Sequence, residues 1–286
     1  MTIAEAIAKA SARLTAHHVE NARLDAELLL AYVFERDRAW LVAHFPDELD
    51  ERHRRYYDQL LNCRAVREPL QYITGRQEFW GLDFTVTRDV LIPRPETELV
   101  VEAALAAAVG LPAPLIIDLC TGSGCIAVSL AKELPGARII ATDRSPEALA
   151  VARTNARKHL VAGRGLFVEG DLFGPLSGPD IAGRIDIITA NPPYIREGEL
   201  SSLQPEVRDF EPELALVAGP DGTEVAERII RAAPEYLKAG GTLIMEMGMG
   251  QADAIRTIVD STGRYGPPMV LQDLAGIERV LIAKKK

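Results

Sequence analysis

The chain contains 286 residues, of which 48% are hydrophobic and 26% are charged, and its formal net charge is −9. These proportions are typical of a globular protein and exclude a disordered chain or a coiled coil. An acidic chain also lacks the broad basic face on which tight binding of DNA or RNA depends, so we predict no direct nucleic-acid partner.

The sequence shows no sign of a membrane span, a secretion signal or a metal site. No window approaches the ~18 uncharged apolar residues that a membrane helix needs. The first residues, MTIAEAIAKASARL, carry charges throughout and form no signal-peptide core, so we predict a cytoplasmic location and no membrane partner. Cys63, Cys120 and Cys125 form no CxxC pair, which predicts neither a disulfide framework nor a bound metal.

Residues 1–70 are predicted to form a small all-helical domain. Apolar residues recur there at helical spacing, as at Ile3, Ile7, Ala10 and Leu14. No catalytic motif is visible in this stretch, so we expect the chemistry to lie further along the chain.

Residues 71–90 are predicted to form a β-hairpin linker, in which the extended runs QYITGRQEFW and LDFTVT lie on either side of Gly81. The remaining domain, 91–286, opens with LIPRPETELV. Two prolines favour an extended entry there, and the glutamates after them favour the first turn of a helix that runs to about Val109.

From residue 115 onward, short apolar runs alternate with helical stretches, which predicts an α/β domain with a mostly parallel, doubly wound sheet. The predicted parallel strands are 115–119, 138–143, 166–169, 184–191 and 240–247. The last two apolar runs, 269–274 and 278–284, are close enough in sequence to form an antiparallel edge hairpin.

A glycine-rich loop follows the first of these strands and opens a helix. Gly122, Gly124 and Ala127 match the G-x-G-x-x-G/A pattern, and Asp143 ends the second strand about 20 residues further on. Glycines allow close approach of the backbone to a ligand, while the carboxylate accepts hydrogen bonds from ribose hydroxyls. This loop alone does not distinguish a nicotinamide cofactor from S-adenosylmethionine.

Asp118, just before the loop, favours S-adenosylmethionine. A dinucleotide carries an anionic diphosphate, which a nearby carboxylate would repel, whereas S-adenosylmethionine carries a sulfonium and an ammonium group. At the end of the next strand, Asp171 is placed to accept the adenine amino group, with Leu172 packing on the ring. We expect Cys120 and Cys125 to pack as small residues rather than to act in redox chemistry.

The tetrapeptide Asn191-Pro192-Pro193-Tyr194 follows the fourth parallel strand. The prolines restrict the backbone, so the Pro192 carbonyl and the Asn191 amide oxygen are expected to present two acceptors at one point. Two fixed acceptors suit a planar –NH₂ group, whose nitrogen lone pair is then directed at an electrophile. We expect Tyr194 to stack over the planar substrate group.

Several motifs resemble known methyltransferases. DLCTGSGCIA, ATDRS and NPPY resemble the S-adenosylmethionine-dependent amino-methyltransferases. PLQYITGRQEFWGLDFTV, LIPRPETE, PEVRDFEPELALVAGPDG and QDLAGIERVLIA resemble the HemK/PrmC family, which methylates the glutamine side-chain nitrogen in the GGQ motif of peptide-chain release factors. The resemblance covers nearly the whole chain and implies a Rossmann-like class I methyltransferase domain. It also implies that the helical domain helps to engage the release factor.

The resemblance carries specific roles to residues of this chain. S-Adenosyl-L-methionine is the expected cofactor and S-adenosyl-L-homocysteine its product; the release factor is the expected protein partner, and the chain is expected to be a monomer. Asn191, Pro192 and Tyr194 are the expected catalytic residues, and Pro193 joins them in binding the substrate glutamine. The expected cofactor-binding residues are Asp118, Cys120, Thr121, Gly122, Ser123, Gly124, Asp143, Asp171, Leu172 and Asn191.

Other functions remain open at this stage. A sister group of the family methylates a glutamine of a ribosomal protein, although IPRPETE favours the release-factor branch. A nucleic-acid amino-methyltransferase also presents –NH₂ to such a tetrapeptide, but it needs a basic cleft. A dehydrogenase and a non-catalytic cofactor-binding protein are further alternatives. We also predict that 195–223 is a substrate-facing lid, and that Glu246 either faces the pocket or supports it.

Overall fold

The computed structural model describes residues 1–176, 178 and 181–286 and divides into two compact units. The first unit comprises Met1–Arg76 together with Gln204–Phe210. The second comprises Gln77–Leu203 together with Glu211–Lys286.

The helices are α1 (Ile3–Ala16), α2 (Ala22–Val33), α3 (Arg38–Ala43), α4 (Glu51–Ala65), α5 (Leu70–Thr74), α6 (Glu98–Ala107), α7 (Cys125–Glu133), α8 (Pro146–Lys158), α9 (Pro205–Arg208), α10 (Glu224–Tyr236) and α11 (Ala252–Thr262). The strands are β1 (Arg76–Phe79), β2 (Leu82–Thr85), β3 (Leu115–Leu119), β4 (Arg138–Asp143), β5 (Gly165–Glu169), β6 (Ile185–Ala190), β7 (Ile195–Arg196), β8 (Val217–Gly219), β9 (Leu237–Glu246), β10 (Met269–Gln272) and β11 (Glu278–Lys284). None of the helices in the described part of the chain is long and apolar enough to cross a membrane.

The first unit is a helical cluster with its own apolar core. Leu14, Leu29 and Tyr57 are almost completely buried there, and the Tyr57 hydroxyl donates to the Ala26 carbonyl at 2.8 Å. Burial of such side chains is the main stabilising term for short helices, whose own propensity is marginal in water.

A stretch from far along the chain completes this helical unit. Glu206, on α9, accepts hydrogen bonds from Arg64 at 3.0 Å and from Arg67 at 2.6 Å. Burial alone would raise the pKa of Glu206, but the bonds from these arginines hold it below its ordinary value. Arg64 also donates to Asp25 at 2.7 Å, so its buried charge is paired within the unit.

The linker differs from its predicted form. Residues 71–74 were expected to be extended, yet they lie in α5, and the hairpin consists of β1 and β2 alone. Pro69 precedes the first turn of α5, and Gly75 ends the helix in the left-handed conformation at φ 71°. These two flanking residues favour a helical turn, whereas the aromatic and β-branched residues between them favour a strand and led to the wrong prediction.

The second unit contains a seven-stranded sheet in the order β10-β11-β9-β6-β3-β4-β5. The strand pairs among β9, β6, β3, β4 and β5 are parallel, while β11 runs antiparallel to both β9 and β10. The predicted parallel sheet with an antiparallel edge hairpin is therefore confirmed. Two apolar clusters of buried residues pack with this sheet.

The strand order determines where a site can form. β3 lies between β4 and β6 in the interior of the sheet, and the chain crosses from one side of β3 to the other. In open α/β sheets, ligands bind at the carboxyl ends of the strands beside such a reversal. The glycine loop after β3 and the tetrapeptide after β6 both begin at this edge.

Candidate active site

A cavity of about 400 Å³ opens at the carboxyl edge of the parallel strands, within the size range of small-molecule sites. Many of the predicted site residues line it: Cys120, Thr121, Gly122, Ser123, Asp143, Asp171, Leu172, Asn191 and Pro193. Asp118, Gly124, Pro192 and Tyr194 were also predicted but do not line the cavity wall.

The glycine loop turns through backbone conformations that side chains rarely adopt. Gly122 and Gly124 have φ values of 54° and 79°, and Cys120 has a φ of 55°. A Cβ atom on Gly124 would lie 3.1 Å from the Cβ of Ala152 on α8, whereas one on Gly122 would meet nothing within 4 Å. Gly124 therefore allows close packing between helices, and Gly122 leaves the cavity side of the loop open.

Asp143 ties this loop to the end of β4. Its Oδ2 accepts from the Gly122 backbone N–H at 2.8 Å, and its Oδ1 accepts from the Ser145 N–H at 3.0 Å. Burial raises the pKa of Asp143, and hydrogen bonds from backbone N–H groups oppose this effect. A carboxylate has about four acceptor sites, so Asp143 can still accept from a ribose hydroxyl in the cavity.

Asp118 is fully buried behind the loop. Its two oxygens accept from the hydroxyls of Thr121 at 2.6 Å and Thr189 at 2.8 Å. Burial raises the pKa of Asp118 to about 6, while these two hydrogen bonds act to lower it. Asp118 therefore supports Thr121 and the start of the loop instead of facing a ligand.

The loop after β5 forms a further part of the cavity wall. Leu172 has a φ of 51°, and its carbonyl accepts from the Thr142 hydroxyl at 3.1 Å. Asp171 is exposed and pairs with Arg228 at 2.5 Å. Arg228, on α10, also lines the cavity, and no local sequence pattern marks it because it lies far from Asp171 in sequence.

The cysteines beside the loop carry no sign of redox or metal chemistry. Burial raises the pKa of the Cys125 thiol to about 12 and also raises the pKa of Cys120 well above its ordinary value. Both thiols are therefore protonated near neutral pH. Across residues 1–176, 178 and 181–286, no cluster of histidine, cysteine, aspartate and glutamate side chains could hold a metal ion.

Asn191 presents a free acceptor at the cavity. Its Nδ2 donates to the Thr97 hydroxyl at 3.1 Å. Among the described residues, no group donates to its Oδ1 or to the Pro192 carbonyl. Asn191 and Pro193, the residues on either side of Pro192, both line the cavity.

Tyr194 does not lie on the cavity wall, where stacking over the substrate was expected. A Cβ atom on Gly248 would come within 3.1 Å of the Tyr194 ring. Burial raises the pKa of the Tyr194 hydroxyl, as does the neighbouring Glu246. Gln251 donates to the Tyr194 carbonyl at 2.9 Å and to the Gly222 carbonyl at 3.0 Å, which fixes the end of the tetrapeptide.

The long connection after the tetrapeptide contributes to the site. Pro212, Leu214, Ala215, Val217 and Ala218 line the cavity. The connection is anchored where it returns to the second unit, because Glu211 accepts from Arg94 at 2.6 Å. Closure of this segment over a substrate, the lid of the sequence analysis, stays a prediction.

Known proteins resemble this chain over its full length. Residues 5–75 match the family model described as the PrmC N-terminal domain, and residues 97–205 match the methyltransferase small domain. A release factor glutamine methyltransferase of Geobacter sulfurreducens is 46% identical over 92% of this chain and 89% of its own length. A protein of the same name from Moorella thermoacetica is 43% identical over 100% of this chain and 99% of its own length.

Solved structures support the fold. The hMettl16 catalytic domain has a TM-score of 0.59 at 18% identity and is matched over 77% of this chain and 80% of its own. A methyltransferase from Pyrococcus furiosus has a TM-score of 0.52 at 16% identity, over 78% of this chain and 98% of its own. These likenesses confirm the Rossmann-like methyltransferase fold. The sequence relatives show that the chain belongs to the release factor glutamine methyltransferase family.

Proposed function

We propose that this enzyme transfers a methyl group from S-adenosyl-L-methionine to the side-chain amide nitrogen of the glutamine in the GGQ motif of peptide-chain release factors. The observation that carries the proposal is the pair of free acceptors, Asn191 Oδ1 and the Pro192 carbonyl, beside the cavity of the glycine loop. A carboxamide –NH₂ has two donors, which match these two acceptors.

The cavity has the groups that the methyl donor requires. Asp143 is available to accept from the ribose hydroxyls, the glycine loop allows close backbone approach, and Leu172 offers an apolar surface to the adenine ring. Asp118 acts through Thr121, and Arg228 sets the orientation of Asp171. When bound, S-adenosyl-L-methionine supplies a methyl group on a positively charged sulfur and leaves as S-adenosyl-L-homocysteine.

The task of the protein is alignment of a weak nucleophile. The nitrogen of an amide is a poor nucleophile because resonance delocalises its lone pair. Asn191 and the Pro192 carbonyl would hold both N–H groups, so the lone pair can point at the methyl carbon. Leu214 and Val217 line the same cavity and would offer apolar surface beside the bound substrate.

Loss of the proton needs no strong base. The substrate nitrogen becomes acidic only when the new C–N bond forms, and the proton can then pass to solvent. Among the described residues, no histidine lines the cavity.

Mass spectrometry tests the proposal directly. The full chain is incubated with S-adenosyl-L-methionine and a release factor, and tandem spectra are expected to place one methyl group on the glutamine of GGQ. A matched release factor with glutamate at that position is expected to stay unmodified. Parallel reactions with ribosomal proteins, tRNA and DNA test the alternatives, and labelling of one of those in place of the release factor would contradict the proposal.

We further propose that the chain works as a monomer in the cytoplasm and that its helical unit contacts the release factor. The family match over residues 5–75 and the absence of a catalytic motif there support a recognition role. Light scattering of the free chain and of its mixture with a release factor is expected to show one copy of each. A stable dimer of the free chain would contradict the monomer.

A further inference from the structure

Three side chains from separate parts of the second unit form a continuous chain of hydrogen bonds, which leads from the cavity, lined by Asn191 and Thr97, to the buried Glu246. Asn191 Nδ2 donates to Thr97 Oγ1 at 3.1 Å, and Thr97 Oγ1 donates to Glu246 Oε2 at 2.6 Å. Thr97 and Glu246 are 1% and 2% exposed, so water does not compete for these bonds.

The chemistry of a hydroxyl gives this chain of bonds a direction. A threonine hydroxyl has a single proton to donate, and an ionised carboxylate only accepts. Thr97 must therefore donate its one hydroxyl hydrogen bond to Glu246, and it can only accept from Asn191. The amide of Asn191 is thereby turned with its –NH₂ toward Thr97 and its oxygen toward the cavity.

This direction matters because the two orientations of an asparagine amide have nearly the same shape. In the opposite orientation, Asn191 would point its own –NH₂ at the –NH₂ of the substrate, and donors would face donors. Packing alone therefore hardly favours one orientation over the other. The hydrogen bond with Thr97 has to select the orientation of the Asn191 amide.

We propose that Thr97 and Glu246 are positioning residues that fix the Asn191 amide with its oxygen toward the substrate nitrogen. The inference rests on the proposed function, because it assigns these two residues to the same methylation of a carboxamide. Neither residue is required to touch the reacting atoms, since both act through Asn191.

The ionised form of Glu246 is essential to the direction. Burial raises the pKa of Glu246 to about 7, and Glu96 raises it further, while the bonds with Thr97 and Tyr194 and the charge of Arg279 oppose this shift. The thiol of Cys125, on α7, is also within electrostatic range. A protonated Glu246 can donate to the Thr97 hydroxyl. Thr97 can then donate its own proton to Asn191, and the direction of both hydrogen bonds is reversed.

Paired substitutions at Thr97 test the inference. Thr97→Val keeps the shape but removes the hydroxyl, and we expect kcat for release-factor methylation to fall about tenfold or more. The dissociation constant for S-adenosylhomocysteine should stay within about twofold of wild type, and Thr97→Ser should restore most of the lost kcat. Thr257→Val, on the exposed face of α11 and remote from the cavity, is the matched control and should behave as wild type.

The pH profile at saturating substrates tests the role of Glu246. We expect wild-type kcat to fall as the pH drops below about 7, and we expect Glu246→Gln to lack this acid limb. The inference would be overturned if Thr97→Val kept the wild-type kcat, or if Thr97→Ser lost as much kcat as Thr97→Val. It would also be overturned if Glu246→Gln kept the fall in kcat below about pH 7. In each of those cases the wild-type enzyme would still methylate the release factor, so the proposed function would stand; absence of wild-type methylation would overturn both.

Discussion

Asn191 lines the cavity beside Thr97, through which it is linked to Glu246. Its Nδ2 is held by Thr97, and its Oδ1 has no donor among the described residues. Sequence reasoning could identify Asn191, because two following prolines at the end of a strand are an unusual local pattern. It could not identify Thr97 as the partner, because that contact joins positions 94 residues apart.

Removal of the Asn191 side chain should therefore affect turnover more than cofactor binding. We expect Asn191→Ala to lower kcat for release-factor methylation by about 100-fold or more, because a substrate acceptor that orients the nucleophile is lost. Calorimetric titration with S-adenosylhomocysteine should show a much smaller change in affinity. Near-normal turnover in this variant would refute the role of Asn191.

Asp143 should show the reverse behaviour. We expect Asp143→Ala to weaken binding of S-adenosylhomocysteine by about 1.5–3 kcal/mol, the range for hydrogen bonds to a charged group. The matched control is Asp260→Ala, which removes an exposed carboxylate from α11. Equal affinities of the two variants in calorimetry would reject Asp143 as a cofactor ligand.

Among the elements, those with strong local patterns could be predicted and those defined by distant contacts could not. Short apolar runs predict the parallel strands, and the spacing of the glycines predicts the loop after the first of them. The short helix α5 was taken for a strand, because its composition favours extended structure and only Pro69 and Gly75 reveal the helix. The attachment of α9 to the helical unit depends on the contact of Glu206 with Arg64 and Arg67, which no local pattern encodes.

The glycine loop offers a matched pair of substitutions at the element scale. Gly122→Ala and Gly124→Ala both force alanine into the left-handed region, at about 1–2 kcal/mol each. Gly124→Ala also brings a methyl group within 3.1 Å of Ala152, whereas Gly122→Ala meets no atom within 4 Å. Thermal unfolding should therefore show a larger decrease in Tm for Gly124→Ala. Equal decreases would show that contact with α8 is not what requires a glycine at position 124.

For the molecule as a whole, the site lowers stability near neutral pH. Glu246 has a pKa of about 7 in the folded chain against an ordinary value of 4.5, with burial as the main cause. A raised pKa contributes stability below about pH 4.5, and this contribution is lost as the pH rises through about 7. Above that pH, the ionised carboxylate lowers the free energy of unfolding by about 3 kcal/mol.

Replacement of this carboxylate should therefore stabilise the protein in alkaline solution. We expect the Tm of Glu246→Gln relative to wild type to rise as the pH increases from 5 to 8, because the wild-type carboxyl ionises with a pKa of about 7 in this range. Glu102→Gln, at an exposed position on α6, should show no such trend. A difference in Tm that does not vary with pH would contradict the raised pKa of Glu246.

In the proposed reaction, Asn191 and the Pro192 carbonyl hold a glutamine carboxamide beside the methyl donor. The most direct measurement is a crystal structure of the chain with S-adenosylhomocysteine and a release factor. We predict that the cofactor product lies in the glycine-loop cavity and that the glutamine –NH₂ donates to Asn191 Oδ1 and the Pro192 carbonyl. A structure in which the glutamine nitrogen contacts neither acceptor, or in which the product binds outside this cavity, would contradict the account.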